Sequence, residues 1–163
     1  MSCLFSLERR ARLLVLLGGL LASATPAFAA PRAILPFGAD TWSELGQSPS
    51  RPMVVVFSTT DCVHCPRVID DMAEAIRKAR VKTRLVVVVM DGAGQEKALR
   101  ADHHYRKASA IYSFDGDAMA LRFTVNPDWR GLTPYVALIP AAGVARFHAG
   151  PPPSDALRAL LRP

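Results

Sequence analysis

Met53-Val-Val-Val-Phe57 is separated by four residues from Cys62-Val-His-Cys65, which is followed at once by Pro66. The apolar, β-branched run is typical of a strand that is buried on both faces of a sheet. A helix is predicted from Val63 to Arg80, because apolar residues recur there at helical spacing and Pro66 falls in the first turn, where a missing N–H is tolerated. The segment therefore predicts a buried strand that leads into an amphipathic helix, with two cysteines at the junction.

Cys62 and Cys65 have the spacing of a pair that exchanges disulfides. Near a helix N-terminus, free N–H groups and the positive end of the helix dipole stabilise a thiolate, which is the form that attacks a disulfide. We expect Cys62 to cap the helix as the exposed nucleophile. Cys65, one turn deeper, is expected to be the buried thiol that resolves the mixed disulfide.

Three neighbouring residues are expected to tune the redox pair. The imidazolium of His64 would stabilise a thiolate and make the disulfide more oxidising. Asp61 would oppose the thiolate, unless its carboxylate caps the helix and is partly neutralised there. Val63 is the remaining residue between the two cysteines.

The cysteine count favours a chemical role for the pair over a structural or metal-binding one. The chain has three cysteines, of which Cys3 lies before the apolar run Leu13–Leu21, in a stretch that we predict to be a cleaved secretory signal. A single close pair closes too small a loop to stabilise the fold much. Zinc normally needs a second cysteine pair or a spaced histidine pair, which this sequence lacks, so no metal is expected at the pair.

Residues 1–29 contain the three parts of a secretory signal in their usual order. A basic segment precedes the apolar run Leu13–Leu21, which is short for a membrane span, and Ala27-Phe28-Ala29 supplies a signal-peptidase site. We predict cleavage there, export to the periplasm and one mature domain over residues 30–163. A retained membrane anchor stays open as the alternative.

The composition fits a globular domain. Half of the residues, 50%, are hydrophobic, which allows a sizeable core and disfavours disorder. The formal net charge is +6, but the cations are scattered along helical stretches without a dense run. A solvated basic surface is therefore expected, rather than a nucleic-acid site.

Periodicity and turn residues predict the remaining elements. Thr41 and Glu44 fit a capping box at the start of a short helix, and Ser154 is predicted to cap the last helix. The other predicted segments are an extended lead-in from Pro31 to Phe37, strands from Leu85 to Met90, Tyr135 to Ile139 and Val144 to His148, helices from Gln95 to about Ala110 and from Asp117 to Phe123, and a loop from Ser113 to Gly116.

The chain resembles the thioredoxin superfamily in the segments quoted above and in the segment Gly131-Leu-Thr-Pro134-Tyr-Val-Ala-Leu-Ile139, followed by Gly143 and Gly150. Within that superfamily it is most similar to the TlpA/ResA-like periplasmic thioredoxins, whose Trp-x-Gly-x-x-Pro segment is matched by Trp129 to Pro134. The resemblance covers about Thr41 to Pro163. It implies an α/β thioredoxin fold, in which helices flank a central mixed sheet. A helical insert, here from Gln95 to Val125, would precede the cis-proline strand.

The resemblance also implies a function. The protein would be a periplasmic thiol–disulfide oxidoreductase that needs no dissociable cofactor. Pro134 would be cis and pack against the active-site sulfurs, and Thr133 would present its backbone to an extended substrate peptide. Protein thiols or disulfides would be the substrates, and a membrane-bound protein would be the redox partner. Apart from the resemblance, the chain is predicted to act as a monomer and, from its scattered cations, without nucleic acid; the sequence leaves the oligomeric state open.

Several positions depart from the family pattern. Asp61 stands where an aromatic residue often precedes the first cysteine, and Val56 stands where thioredoxin itself has a buried acid.

Copper-delivery relatives of this fold use a CxxxC motif with a distant histidine, and the cysteine spacing here is one residue short. The candidate copper ligands besides the two cysteines are His103, His104 and His148. A copper-binding chaperone and a redox-inactive docking module therefore remain open as alternatives, as does the direction of electron flow.

Overall fold

Strands and helices alternate along residues 33–162, which are the residues that the computed structural model describes. The predicted signal peptide lies outside them. The elements are β1 Ile34–Phe37, α1 Thr41–Gln47, β2 Met53–Ser58, α2 Cys65–Ala79, β3 Arg84–Val89, α3 Glu96–Ala101, a 3-10 turn at Tyr105–Lys107, β4 Ala110–Phe114, α4 Ala118–Val125, β5 Tyr135–Ile139, β6 Arg146–Ala149 and α5 Ser154–Leu160. In this part of the chain, we find no helix with the length and apolar character needed to cross a bilayer.

The six strands form one mixed sheet in the order β1-β4-β3-β2-β5-β6. The first four strands in that order are mutually parallel, and β5 is antiparallel to both β2 and β6. β2 pairs with β3 from Met53 opposite Arg84, and with β5 up to Phe57 opposite Tyr135. All six residues of β2 are buried, as its apolar run predicts for a strand covered on both faces.

This topology is the thioredoxin fold. The parallel unit β2–α2–β3 is followed by the antiparallel hairpin β5–β6 and the closing helix α5, while β1 and β4 extend the sheet beyond β3. The predicted α/β class, with helices flanking a mixed sheet, is confirmed.

Two apolar layers cover the two faces of the sheet. Because successive strand residues point to opposite faces, Val54 and Val56 lie in a layer with Ile69 of α2, whereas Val55 and Phe57 lie in the other layer. α5 adds Leu160 to the first layer, while Leu45 of α1, Leu121 and Val125 of α4, and Trp129 belong to the second. The layers hold α2 on one face of β2 and the segment around Trp129 on the other.

The segment that was predicted to be a helical insert also contains a strand. α3 ends at Ala101, well before the predicted end near Ala110, and Ala110–Phe114 forms β4 between β1 and β3. The predicted loop is therefore wrong at Ser113 and Phe114. Strand geometry prevails because it buries Ile111 in the first layer and Phe114 in the second. The lead-in forms β1, which pairs with β4.

Both predicted helix caps are wrong, although both helices are present. Asp40 is the N-cap residue of α1, and Thr41 instead accepts a hydrogen bond at its Oγ1 from the backbone N–H of Gly38, at 3.0 Å. Pro153 precedes α5 in an extended conformation, so Ser154 is the first helical residue rather than the cap. In each case the helix begins one residue too early for the predicted hydroxyl to act as a cap.

Candidate functional site

Cys62 and Cys65 form a disulfide at the carboxyl end of β2, with their Cα atoms 5.4 Å apart. Cys62 lies in the turn after the strand and is half-buried. Its N–H donates to the carbonyl of Thr59 at 3.3 Å, and the N–H of Cys65 donates to the carbonyl of Cys62 at 3.2 Å. Cys65 opens α2 and is fully buried. Of the two cysteines, only Cys62 is partly open to solvent.

The start of α2 differs from the prediction. The helix begins at Cys65 with His64 as the N-cap residue, so Cys62 lies before the cap. Asp61 is exposed and does not cap the helix either. The turn from Thr59 to Cys62 delays the helix by two residues relative to the predicted start at Val63. The first turn of α2 carries no acidic side chain, so the positive end of its dipole is not neutralised from within the helix.

Asp91 anchors the turn that precedes the disulfide. Its carboxylate accepts the N–H of Thr60 at 2.9 and 3.1 Å and the hydroxyl of Thr60 at 2.6 Å. Asp91 follows β3, whose carboxyl end lies beside that of β2 because the two strands are parallel. The carboxylate thus ties the turn before Cys62 to the neighbouring strand. The sequence indicated Asp91 only as a turn residue.

The peptide bond between Thr133 and Pro134 is cis, as the resemblance implied. Tyr135, the next residue, pairs with Phe57 at the end of β2. The hydroxyl oxygens of Thr133 and Thr59 are 3.3 Å apart. The cis-proline segment therefore lies against the turn that leads to Cys62.

Trp129 packs against the cis-proline segment and holds it in place. Its indole Nε1 donates to the carbonyl of Leu132 at 3.0 Å, and its ring stacks on Tyr135 with centroids 4.6 Å apart. The ring also contacts Phe57, at 4.9 Å between centroids. Gly131 bends the segment with a φ of +85°, a conformation that favours glycine. These contacts fix the backbone on which Thr133 and Pro134 lie.

Two large apolar side chains project into solvent from the segments that meet at this site. Val63, between the cysteines, is 81% exposed, and Leu132, before Thr133, is 72% exposed. Exposure on this scale leaves both side chains free to contact another polypeptide. Val63 was expected only to tune the redox pair.

A buried pair of hydroxyl groups lies at the end of β2. Ser58 is fully buried, and its Oγ lies 3.4 Å from the phenol oxygen of Tyr105 while donating to the carbonyl of Thr59 at 3.1 Å. Burial raises the pKa of the Tyr105 phenol. No acid lies in β2, where Val56 is part of the apolar layer. Sequence reasoning missed this pair, because it depends on Tyr105, which is far away in the chain.

Comparisons with known proteins give a distant likeness. No protein-family model and no curated protein matches this chain. Among solved structures, it is similar to a secreted Mycobacterium tuberculosis disulfide oxidoreductase that is described as homologous to E. coli DsbE. The identity is 16% and the TM-score 0.47, over 69% of this chain and 81% of that chain. A likeness this distant assigns no role to any residue of the site.

The candidate copper ligands do not gather around the cysteines. In residues 33–162, the group of three or more possible metal ligands is Asp102, His103 and His104, whose ligand atoms lie within 4.8 Å of one another. His104 Nδ1 is 2.9 Å from the Asp70 carboxylate of α2. His148 belongs to β6, and its Nε2 is buried without a hydrogen-bond partner. This arrangement gives the copper hypothesis no shared ligand set with the disulfide.

Proposed function

We propose that this protein is an exported thiol–disulfide oxidoreductase, which exchanges electrons with protein thiols or disulfides through Cys62 and Cys65. The asymmetry of the disulfide carries the proposal. Cys65 is fully buried at the first residue of α2, whereas Cys62 is half-buried in the preceding turn. A macromolecular substrate can approach the sulfur of Cys62 but not that of Cys65.

In the oxidised protein, a substrate thiolate attacks the Sγ of Cys62. The Cys62–Cys65 bond breaks, a mixed disulfide forms between Cys62 and the substrate, and Cys65 leaves as a thiolate. The second substrate thiolate then attacks the substrate sulfur of the mixed disulfide and releases the Cys62 thiolate. The substrate has lost two electrons to form its own disulfide, and the protein holds them as two thiols.

The same steps in reverse reduce a substrate. The Cys62 thiolate attacks the substrate disulfide, one substrate sulfur leaves, and Cys65 attacks Cys62 to release the second. Cys62 is proposed as the more acidic thiol, because burial disfavours a thiolate at Cys65. The uncapped N-terminus of α2 favours a thiolate nearby and so supports ionisation of Cys62. No metal or dissociable cofactor is needed, since the two cysteine sulfurs take up two electrons when the bond between them breaks and give them up when it forms again.

Thr133 and Pro134 are proposed to form the segment against which an extended substrate peptide binds. The hydroxyl contact between Thr133 and Thr59 keeps this segment beside the turn of Cys62. The exposed side chains of Val63 and Leu132 would contact apolar residues on either side of the substrate cysteine. An extended, partly unfolded chain fits such a site better than a folded surface does, because its cysteine and its flanking residues are reachable together.

The predicted leader supports export to the periplasm, and an exported redox protein must receive or deliver its electrons outside the cytoplasm. We propose that a membrane-bound redox partner does so, and that the mature protein acts as a monomer. The membrane-bound partner is proposed from the resemblance to the periplasmic thioredoxins, and the monomeric state is a separate prediction.

Mixed-disulfide trapping tests the proposed function. Cys65→Ser protein, incubated with a disulfide-containing substrate such as insulin, should accumulate a covalent adduct through Cys62 that a reducing gel removes. Cys62→Ser protein should form none, because its remaining thiol is buried. The native protein should catalyse insulin reduction with a dithiol as electron source. Equal trapping by both variants, or insulin reduction by the native protein no faster than by the Cys62→Ser/Cys65→Ser double variant, would contradict the proposal.

A further inference from the structure

A groove of about 540 Å³ lies between the end of α2 and α5. Its floor is apolar, and its rim carries cations. The floor residues are Ala75, Ala79, Leu157 and Leu161, and the rim residues are Lys78, Arg158 and Arg162, with Ser154 at one end. All three cationic side chains belong to exposed residues.

The surroundings of the groove are also basic. Residues 75–84 contain five cations and no acidic side chain, and residues 154–162 contain two arginines and one acid, Asp155. Glu74, which precedes the groove residue Ala75, pairs with Arg77 at 2.7 Å and Lys78 at 3.3 Å. The sequence suggested scattered cations, but the fold brings the end of α2 and the end of α5 together.

The groove and the cations of residues 77–84 together form a basic end of the domain, which lies opposite the disulfide. α2 begins with Cys65 at the carboxyl end of β2 and returns to the amino end of β3. Its cationic end therefore lies beside the amino-terminal ends of the parallel strands, opposite the disulfide. β1 is parallel to β4, and β4 is parallel to β3, so Ile34, the first residue of β1, lies at the same amino-terminal ends of the strands. The chain therefore enters the domain at the basic end.

We propose that this basic end, defined by the groove and the cations of residues 77–84, docks on an anionic phospholipid bilayer. Long basic side chains around an apolar floor can reach the headgroup phosphates, while their aliphatic stems and the apolar floor contact the boundary between headgroups and acyl chains. Each cation near an anionic membrane strengthens partitioning roughly fivefold. The groove lining contains no aromatic side chain on which bases could stack, which disfavours a single-stranded nucleic acid as the occupant.

Docking in this orientation has a geometric consequence. With the basic end on the membrane, Cys62 and the cis-proline segment face away from it and remain open to substrates. The inference is independent of the redox chemistry, because the residues of the groove and those of the disulfide do not overlap.

Vesicle sedimentation tests the inference, with protein purified from the exported fraction. The native protein should bind vesicles of phosphatidylcholine mixed with phosphatidylglycerol much more tightly than vesicles of phosphatidylcholine alone, and salt should weaken the binding. The double variant Arg158→Gln/Arg162→Gln should bind the mixed vesicles roughly 25-fold more weakly. The matched control Lys97→Gln/Arg100→Gln, on α3 beyond the carboxyl end of β3, should bind like the native protein.

Three results would overturn the proposal. Equal weakening by both double variants would mean that only net charge matters. Equal binding to both kinds of vesicle would exclude the headgroup charge as the cause. Binding to a DNA duplex that is tighter than binding to the mixed vesicles, and equally sensitive to Arg158 and Arg162, would make nucleic acid the partner. The disulfide of vesicle-bound protein should also be reduced by added dithiol as fast as that of free protein.

Discussion

His64 and Asp61 are the charged side chains closest in sequence to the reactive sulfurs. His64 is the N-cap residue of α2, between Cys62 and Cys65, and both charged residues are exposed. Neither caps the helix through its side chain, and we propose that each acts on a Cys62 thiolate through charge, an imidazolium at His64 stabilising it and the Asp61 carboxylate opposing it. They oppose each other, which allows the contribution of each to be measured separately.

His64→Ala should raise the pKa of Cys62 and lower the reduction potential of the pair. Removing a nearby imidazolium removes stabilisation of the thiolate, so the reduced form becomes less favoured. We expect about one pKa unit and some tens of millivolts. Thiolate absorbance gives the pKa, and equilibration with glutathione gives the potential.

Asp61→Asn is the matched control for this measurement. It removes a negative charge from the other side of Cys62 and should shift both quantities in the opposite direction. If His64→Ala leaves the pKa and the potential unchanged, His64 is only a surface residue with no influence on the redox pair.

The central residues of the site could be predicted from sequence, but their supports could not. Cys62, Cys65 and Pro134 are set by local spacing and by the resemblance. The Thr60–Asp91 bonds and the Ser58–Tyr105 pair join residues 31 and 47 positions apart, so no local pattern indicates them. The alternative that Asp61 caps the helix fails for the same reason, since it depended on where the helix begins.

At the scale of elements, Asp70 connects α2 to the segment before β4. Its carboxylate receives Lys107 Nζ at 2.7 Å and His104 Nδ1 at 2.9 Å. Burial alone would raise the pKa of Asp70, but the hydrogen bonds from Lys107 and His104 outweigh it and lower the pKa. A lowered pKa means that the folded protein favours the ionised carboxylate.

Asp70→Asn should lower the free energy of unfolding at neutral pH by about 1 kcal/mol, allowing for the partial exposure of the pair. A carboxyl whose folded pKa is depressed stabilises the fold above its unfolded pKa, near 3.8, and this contribution is lost as the pH falls through the lowered value. The difference from the native protein should therefore vanish in acid. Urea unfolding of the native protein and of Asp70→Asn, at neutral pH and in acid, measures this difference in the free energy of unfolding.

Asp71→Asn is the control, because Asp71 pairs only loosely with Arg67, at 3.8 Å, and both side chains are exposed. This substitution should cost less than 0.5 kcal/mol. A loss of stability by Asp70→Asn that is equal in acid and at neutral pH would show that the charge of Asp70 is not what matters.

Gly131→Ala should destabilise the protein by about 1–2 kcal/mol, because a residue with a Cβ is strained at a φ of +85°. The added Cβ would also collide with Nη1 of Arg122. Since the segment carries Thr133 and Pro134, disulfide exchange should slow as well. Urea unfolding and insulin reduction report the two effects.

Gly46→Ala provides the comparison. Gly46 lies in α1, and nothing is within 4 Å of an added Cβ. Alanine is favoured over glycine in a helix by up to about 1 kcal/mol, so stability should stay the same or rise. A destabilisation as large as that of Gly131→Ala would refute the conformational explanation.

β4 shows where prediction of the elements from sequence stops. The buried strands β2, β3 and β5 have continuous apolar runs, which indicate strands without knowledge of their partners. β4 is a five-residue segment with mixed burial whose partners, β1 and β3, come much earlier in the chain. Its strand character follows from the sheet it joins, so the sequence favoured helix and loop.

At the scale of the whole molecule, the two ends of the sheet differ in chemistry. The carboxyl ends of β2 and β3 carry the disulfide and its anchoring contacts, whereas the opposite end carries the cations of α2 and α5. In the proposed function, one end acts on substrates while the other is available for attachment. Substitutions at one end should leave the function of the other intact.

The exported protein should begin at Ala30 or Pro31. The reason is the small residues Ala27 and Ala29 at the end of an apolar run. N-terminal sequencing of protein recovered from the periplasm measures the cleavage site. A sequence that still begins at Met1 would indicate a retained anchor instead.

The two edges of the sheet are short. β1 and β6 have four residues each, and Pro36 within β1 has no N–H to donate to a further strand. Long, flat edges recruit extended polypeptides and seed aggregation. A catalyst of disulfide exchange repeatedly meets chains whose own strands are not yet paired. In the proposed function, edges this short offer such chains few backbone groups to pair with, so a substrate would be released with its sulfur bonds changed instead of joining the sheet.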